Sequence, residues 1–396
     1  MGKQMMAARG GPALQLSALI FVAALSSLSG ACVSNPEPMP VSRDFHDETR
    51  WEFVPSVTYD ALNLMNGLAE DPFYAVYYGN SVRRFRGMLN DGALAAMGRL
   101  DGTKRFFGFV LSAFTTMAAS TGPHATLLET ADYFDRPEEV VRGLEATPNH
   151  RPIHGTLFTL FVGADTSRVL RGLDSAGFVE DWEARKLPLI ESRIAELEAA
   201  SQNWNVLPEV EKRLGRPTAE ATIRVHVLAY AQPHAVKLAG NNVVVDMAYP
   251  DELVVMNAIH ELFHPPVDFQ SPSIRELVLR LHRSSVIKNA FDNRGRQYGY
   301  NQFEGYVEEN IVRALEHQIA THLGITDRSA AARWRSDDDG MHVLAAVLHE
   351  MMEEQEYMLS DESVASFLTR NFLDSEISEE EIERLYLAGT GRPFRL

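Results

Sequence analysis

The sequence predicts an α+β protein that is mainly helical, with a small sheet in its second half. Three observations favour this class. From Trp51 to about Asn203, apolar residues recur at mixed three- and four-residue spacing, which is typical of helices. Two short stretches after residue 220 are rich in β-branched residues and alternate as strands do. Helical periodicity then returns, so a helical region is followed by strands and further helices.

The composition is that of a folded globular protein. The chain has 396 residues, of which 45% are hydrophobic and 23% are charged, so there is ample material for a core. With 37 Lys and Arg against 54 Asp and Glu, the formal net charge is −17. An acidic chain lacks the bulk positive charge that attracts nucleic acid or anionic membrane surfaces, and neither is expected as an electrostatic partner.

The N-terminal segment has the layout of a secretory signal peptide. Lys3 and Arg9 give it a positive start, an apolar run covers residues 13–25, and small residues follow. The run is too short to cross a membrane, which takes about 20 apolar residues. We therefore predict a signal peptide over residues 1–31.

Cys32 is the only cysteine of the chain, which excludes an intramolecular disulfide. Together with the four residues before it, Cys32 resembles a bacterial lipoprotein box, although Leu28 lies four residues before the cysteine instead of three. The resemblance implies acylation of Cys32, which would anchor the protein without a spanning helix. Val33 in place of aspartate implies an outer-membrane lipoprotein of the cell envelope. A plain signal peptide with a chance cysteine is the alternative.

A proline-rich stretch separates the predicted anchor from the folded body. Residues 32–48 hold three prolines and few apolar groups, which is typical of a semi-rigid tether. A helical N-terminal region is then predicted over residues 49–203. Its candidate helices lie at 80–100, 106–119, 137–144 and 178–200, and the second, which is apolar nearly all round, is predicted to be buried.

The second region, residues 204–396, begins with two predicted strands. Residues 221–230 alternate apolar residues with Arg224 and His226, as a half-buried strand does. A Gly-Asn-Asn turn at 240–242 leads to a second strand of three valines. The helices that follow are predicted at 251–264, 273–290, 302–323, 341–358 and 361–372.

A His-Glu-x-x-His motif lies in the first of these helices, as His260, Glu261 and His264. Residues four apart lie on one face of a helix, so both imidazoles can reach one zinc ion. Glu261 is rotated by about 100° from His260, which places its carboxylate beside the open position of the metal. A general base needs this position to take a proton from water at the metal. Two hydrogen-bonded core histidines are the alternative.

The flanks of the motif set the expected bounds of its helix. Asp251 follows Pro250 and is predicted as the N-cap. Pro265 and Pro266 follow His264 directly. Because a residue before proline disfavours helical dihedrals, His264 is expected at the helix terminus, with its ring slightly off an ideal position.

A catalytic zinc site needs a third protein ligand. Asp268 is the nearest downstream carboxylate, but we prefer Glu309, which lies among Val, Ile and Ala and has Arg313 as its i+4 neighbour. Glu308 is the second choice, because the two glutamates face about 100° apart and only one is expected to bind metal. Solvated charges on an amphipathic helix are the remaining alternative. The glutamates of the 302–323 helix are Glu304, Glu308, Glu309 and Glu316.

These residues resemble the gluzincin branch of zinc metallopeptidases, in which two His and one Glu hold zinc. More narrowly, the chain is similar to a family of bacterial lipoprotein-type zincins that pair the His-Glu-x-x-His helix with a later Glu-x-x-Val-Arg-Ala helix, here residues 309–314. The resemblance covers residues 220–325. It implies a zincin-like catalytic region, and a peptide substrate that lies along the strand before the helix.

The sequence therefore predicts a membrane-anchored zinc metallopeptidase that cleaves a peptide or protein, with Glu261 as the general base. The alternative is a non-catalytic envelope lipoprotein that uses the same fold for binding or scaffolding. Glu261 favours the enzyme, because a structural metal site needs no base. Tyr298, Tyr300 and Tyr306 precede or begin the glutamate helix and are considered for transition-state stabilisation, without a spacing that selects one.

Two other polar runs receive structural interpretations. Residues 349–353, His-Glu-Met-Met-Glu, are predicted to form an exposed charged helix face and not a metal site. Residues 337–340, Asp-Asp-Asp-Gly, lack the spacing of a calcium loop and are predicted to cap the next helix.

Overall fold

Helices make up most of the computed structural model, which describes residues 45–69, 71–147, 152–294, 302–375 and 377–394. One small sheet of four strands accompanies them, so the predicted mainly helical α+β class is confirmed. The predicted signal peptide, Cys32 and the tether up to residue 44 lie outside the described residues. Within the described ranges, no helix has the length and apolar character needed to cross a membrane.

The sheet combines strands from both predicted regions of the chain. They are β1 (Arg50–Pro55), β2 (Thr222–Leu228), β3 (Val236–Lys237) and β4 (Asn242–Asp246), in the order β1-β2-β4-β3. β1, β2 and β4 run parallel, and β3 runs antiparallel to β4 at one edge. The predicted strands correspond to β2 and β4, and β1 and β3 are additional.

Strand β1 corrects the prediction of helical structure from Trp51 onwards. Trp51 and Phe53 stack with their ring centroids 5.9 Å apart, and the strand pairs with β2 along its full length. Glu52 of β1 and its partner Arg224 are 172 residues apart along the chain. Because strand formation depends on the partner more than on intrinsic preference, six residues read alone do not reveal it.

The α-helices before β2 lie in the N-terminal region except the last, which lies beyond residue 203. They are α1 (Val57–Leu68), α2 (Pro72–Arg86), α3 (Asp91–Phe107), α4 (Leu111–Ala119), α5 (Leu127–Phe134), α6 (Pro137–Glu145), α7 (Pro152–Leu157), α8 (Gly163–Ser175), α9 (Phe178–Arg185), α10 (Leu187–Ala200) and α11 (Leu207–Leu214). α1 is buried along nearly its whole length and packs against α2 and α4. α10 packs against β1, which ties these helices to the sheet.

Gly108 divides the helix predicted over residues 106–119. α3 ends at Phe107, Gly108 has a φ of 70°, and α4 begins at Leu111. A left-handed conformation costs glycine little, so the chain turns here. Phe106 is exposed, which corrects the prediction of a buried helix at this residue. Other predicted helices are divided in the same way, 80–100 at residues 87–90, 178–200 at Lys186 and 273–290 at Ser284.

The helices after β4 surround the sequence motif. They are α12 (Asp251–Leu262), α13 (Pro272–Arg283), α14 (Ser285–Asn293), α15 (Phe303–His322), α16 (Ala330–Ser336), α17 (Val343–Glu354), α18 (Val364–Phe372) and α19 (Glu379–Thr390). α15 is buried along most of its length and packs against both α12 and α17. α12 in turn packs against β4. The motif helix is thus held between the sheet and the glutamate helix.

The start of α12 differs in one detail from the prediction. Asp251 is its first residue, and Pro250 takes the N-cap position. The Asp251 carboxylate lies 2.6 Å from Arg193 of α10 instead of bonding to the backbone of its own helix. Asp251 thus forms a long-range ion pair instead of the N-cap that the sequence predicted.

Candidate metal centre

The sequence motif lies where the end of α12 meets the first half of α15. His260 is in the last turn of α12, which ends at Leu262. His264 therefore lies two residues beyond the helix, as the two following prolines led us to expect. Glu309 lies in α15, which crosses beside both histidines.

Three side chains bring one ligand atom each to a common point. The Nε2 atoms of His260 and His264 are 3.2 Å apart, and Oε2 of Glu309 is 3.7 Å from the first and 3.8 Å from the second. Ligands of a tetrahedral zinc ion, at bond lengths of about 2.0–2.1 Å, lie at about this separation. His260, His264 and Glu309 thus form a group that could hold a metal ion.

The two adjacent glutamates of α15 occupy different positions around His264. Oε2 of Glu309 faces Nε2 of the ring, whereas Oε1 of Glu308 lies 3.0 Å from Nδ1 on the opposite side. The angular separation of neighbouring helix positions produces this division. The structure therefore places Glu309 in the metal group and Glu308 behind one of the histidines.

His260 has a carboxylate behind it as well. Its Nδ1 lies 3.3 Å from Oε2 of Glu316, which is held by two contacts from Arg333 at 3.0 and 2.8 Å. Both side chains of this ion pair are only 4–5% exposed. A histidine that donates its Nδ1 hydrogen to a carboxylate keeps a lone pair on Nε2. Both histidines are therefore oriented with Nε2 towards the group.

Glu309 is fixed from its other side by Arg313. Nε of Arg313 donates to Oε1 of Glu309 at 2.7 Å, which matches the i+4 relation expected from the sequence. Arg313 also contacts Asp338 at 3.0 Å, and Asp338 lies 2.8 Å from Nε2 of His342. The prediction that Asp338 belongs to a helix cap is wrong, because α17 begins only at Val343 with His342 as its N-cap.

The charges of the group stabilise one another in the absence of metal. Burial opposes the charge on His264, but the hydrogen bond to Glu308 and the surrounding carboxylates raise the pKa of this imidazole to about 9. Burial alone would raise the pKa of Glu309, but His260 and Arg313 hold it well below its usual value. A proton on His264 would compete with a metal ion for this ring.

The metal group lines a cleft of about 450 Å³ between α12, α15 and the loop before β3. Glu261 lines the same cleft and is 8% exposed. Val110 and Ala113 of the N-terminal region close one side. The glutamate of the motif therefore shares its cavity with the metal group, as a base acting at the metal requires.

His234 is a further polar side chain of this cleft that the sequence did not reveal. Its Nε2 lies 2.8 Å from the hydroxyl of Tyr74 in α2. Burial lowers the pKa of His234 to about 4, and burial also raises the pKa of Tyr74 above its usual value. The ring is neutral at pH 7. The two residues are 160 positions apart, so no local spacing could have identified the pair.

Two interpretations of single residues need correction. Tyr306 is fully buried and donates its hydroxyl hydrogen to the carbonyl of Met341 at 2.9 Å, so it does not face the cleft. Tyr298 and Tyr300 lie outside the described residues. His349 is buried, with Nδ1 at 2.9 Å from Gln318, and is not part of an exposed face.

The strand that the resemblance implied, β4, does not lie at an edge of the sheet. β4, the strand directly before α12, pairs with β2 on one side and with β3 on the other. The edge beside the motif helix is therefore β3, which is two residues long.

No protein-family model, curated protein or solved structure matches this chain. The resemblance to gluzincins stays a prediction that rests on His260, Glu261, His264 and Glu309. Function is therefore inferred below from the geometry and charges of the site.

Proposed function

We propose that the protein is a zinc-dependent peptidase of gluzincin type. The supporting observation is the triangle of Nε2 of His260, Nε2 of His264 and Oε2 of Glu309, with sides of 3.2–3.8 Å, in a cleft shared with Glu261. Two imidazoles and one carboxylate are a ligand set of catalytic zinc sites. Magnesium and calcium prefer oxygen ligands alone, so the two histidines favour zinc.

The chemistry follows from what each side chain can do. Zinc, when bound, would polarise a scissile carbonyl and acidify a water. Glu261 accepts the proton of the attacking water and returns it to the leaving amine. Glu308 and Glu316 keep the two imidazoles oriented through their Nδ1 atoms. Arg313 holds one oxygen of Glu309 so that the other faces the group.

His234 is the side chain that we assign to the developing oxyanion. The hydroxyl of Tyr74 stays protonated at neutral pH, and we assign it as the donor to Nε2 of His234, the tautomer that carries the ring hydrogen on Nδ1. A neutral imidazole can then donate this hydrogen to the carbonyl oxygen as negative charge develops. His234→Ala should lower kcat more than it raises KM, because the contact strengthens only in the transition state.

Glu261 separates the enzyme from a binding or scaffolding protein. Glu261→Gln removes the base and keeps the three ligands, so zinc content should stay at one per chain while turnover falls by about 100- to 10,000-fold. Glu252→Gln is the matched control, since Glu252 is exposed at the start of the same helix and contacts Thr326. Wild-type protein without zinc, or full activity in Glu261→Gln, would contradict the proposal.

We further propose that acylated Cys32 anchors this enzyme in the bacterial cell envelope. The support is the signal-peptide layout of residues 1–31 and the position of the single cysteine directly after it. Cys32→Ser should move the protein from the membrane fraction to the soluble periplasmic fraction. If the variant still pellets with membranes and resists salt extraction, something other than the acyl chains holds it there.

A further inference from the structure

A second, smaller cavity adjoins the metal cleft at His264. It measures about 150 Å³ and is lined by Lys237, Arg216 and Thr218 as well as His264. His264 is common to this cavity and the metal cleft. A group that enters the small cavity therefore lies beside the metal centre.

Lys237 is half-buried at the end of the edge strand β3. Burial lowers the pKa of Lys237 to about 8, and Glu261 offsets this effect only in part. A close carboxylate partner would instead raise the pKa of a lysine. Within the described part of the chain, Lys237 forms no ion pair. The half-buried ammonium group thus lacks a close carboxylate partner among the described residues, and an anion that enters the cavity would supply one.

Arg216 adds a second positive charge to the same cavity. Its guanidinium donates to the backbone carbonyl of Pro265 at 3.4 Å, which holds it beside His264 but neutralises no charge. Arg216 also lowers the pKa of Lys237, so the two cations repel each other. The arginines of the metal cleft differ, since each has a carboxylate partner: Arg313 is paired with Glu309, Arg333 with Glu316 and Arg328 with Asp337.

We propose that Lys237 and Arg216 form a carboxylate-binding subsite, and that the preferred substrates are peptides that place a carboxylate beside the metal centre. The identification of the ligand as a peptide substrate rests on the proposed peptidase function. The carboxylate is either the C-terminus of the peptide or an Asp or Glu side chain. Guanidinium and ammonium groups bind carboxylates by charge-assisted hydrogen bonds, and the cavity has room for one such residue.

The test is equilibrium binding to zinc-loaded Glu261→Gln protein, which binds peptide without cleaving it. The probes are mixtures of fluorescent hexapeptides in four forms. The C-terminus is either a free carboxylate or an amide, and each mixture carries either Glu or Gln at a position that is varied along the peptide. Fluorescence anisotropy should show at least about tenfold tighter binding of one acidic form over its amide, as charge-assisted bonds imply. The form that binds identifies the source of the carboxylate. Equal binding of all four forms would overturn the subsite.

Variants in the same background assign the preference to the cavity. Lys237→Met should abolish the preference for the acidic peptide over its amide, and Arg216→Gln should weaken this preference. Lys237→Arg should keep most of it. Lys288→Met is the matched control, because Lys288 pairs with Asp292 in exposed α14 and its loss changes the net charge equally. Unchanged zinc content and circular dichroism show that each variant is folded. A preference that survives in Lys237→Met contradicts the assignment.

Cleavage by the wild-type protein separates this inference from the proposed function. If the wild type cleaves peptides but treats acids and amides alike, the subsite is wrong and the peptidase stands. If it cleaves none while the acid preference and its dependence on Lys237 persist, the subsite stands and the peptidase is wrong.

Discussion

The metal cleft and the small cavity meet at His264 but differ in how their charges are neutralised. In the cleft, Arg313 and Arg333 are each paired with a glutamate of α15. In the cavity, Lys237 and Arg216 form no ion pair among the described residues. Paired charges fix the positions of side chains, whereas unpaired charges mark a place for an anion that comes with a ligand. We infer that the paired charges of the metal cleft hold the ligand side chains in position, whereas the charges of the small cavity serve to bind a ligand.

The largest expected effect comes from removing both imidazoles of the metal group. His260→Ala/His264→Ala should lose zinc completely, since one carboxylate alone cannot hold the ion. The measurement is the zinc content of the purified protein, determined by elemental mass spectrometry. Full zinc occupancy in this double variant would show that the metal lies elsewhere.

Arg333→Met tests the paired side of the comparison. The change leaves Glu316 buried without its guanidinium, which should lower the free energy of unfolding by about 3–5 kcal/mol. Urea denaturation followed by circular dichroism measures this loss. Arg328→Met serves as the control, because Arg328 is exposed and pairs with Asp337 at the surface. Equal stability of the two variants would contradict a structural role for the buried pair.

The adjacent glutamates of α15 should respond differently to the same substitution. Glu309→Gln removes a ligand and should lower zinc affinity more than Glu308→Gln, which removes only the support of His264 and should cost about 10- to 100-fold. Competition with a fluorescent zinc chelator gives both affinities. The reverse order would mean that the ligand is Glu308.

Zinc affinity should also rise with pH. Since His264 carries a proton up to its pKa of about 9 in the metal-free protein, each zinc ion that binds below this pH displaces a proton. The apparent affinity should therefore increase by about tenfold per pH unit between pH 6 and 8. A flat profile over this range would show that His264 is already neutral.

The smallest expected effect concerns the unpaired side. Lys237→Met removes a half-buried cation that forms no ion pair among the described residues, so the free energy of unfolding should change by less than about 1 kcal/mol or rise slightly. Urea denaturation beside Arg333→Met makes the contrast direct. A loss as large as that of Arg333→Met would reveal a buried partner of Lys237.

The residues of the metal group could be predicted because their signal is local. The four-residue spacing of His260 and His264 has a meaning only on a helix, and the proline pair marks where that helix ends. Glu309 could be selected because a charge among apolar residues needs a partner, and Arg313 lies one helical turn away. Each of these inferences uses residues within one segment.

The surroundings of the group could not be predicted because they depend on packing between distant segments. Glu316 lies on the same helix as Glu309, but its pairing with Arg333 depends on the position of α16. His234 is recognisable only beside Tyr74 of α2. Likewise, β3 is two residues long and exists only because β4 lies beside it.

The pairing of β1 with β2 has a consequence for how the chain folds during synthesis. Glu52 and its partner Arg224 are separated by 172 residues. At translation rates of about 5–20 residues per second, β1 leaves the ribosome about 10–30 s before its partner exists. During that interval Trp51 and Phe53 have no strand to pair with, and an unpaired strand can associate with other chains. The first half of the chain therefore cannot complete the sheet alone, and a fragment that ends before residue 222 should leave Trp51 and Phe53 without their strand partner.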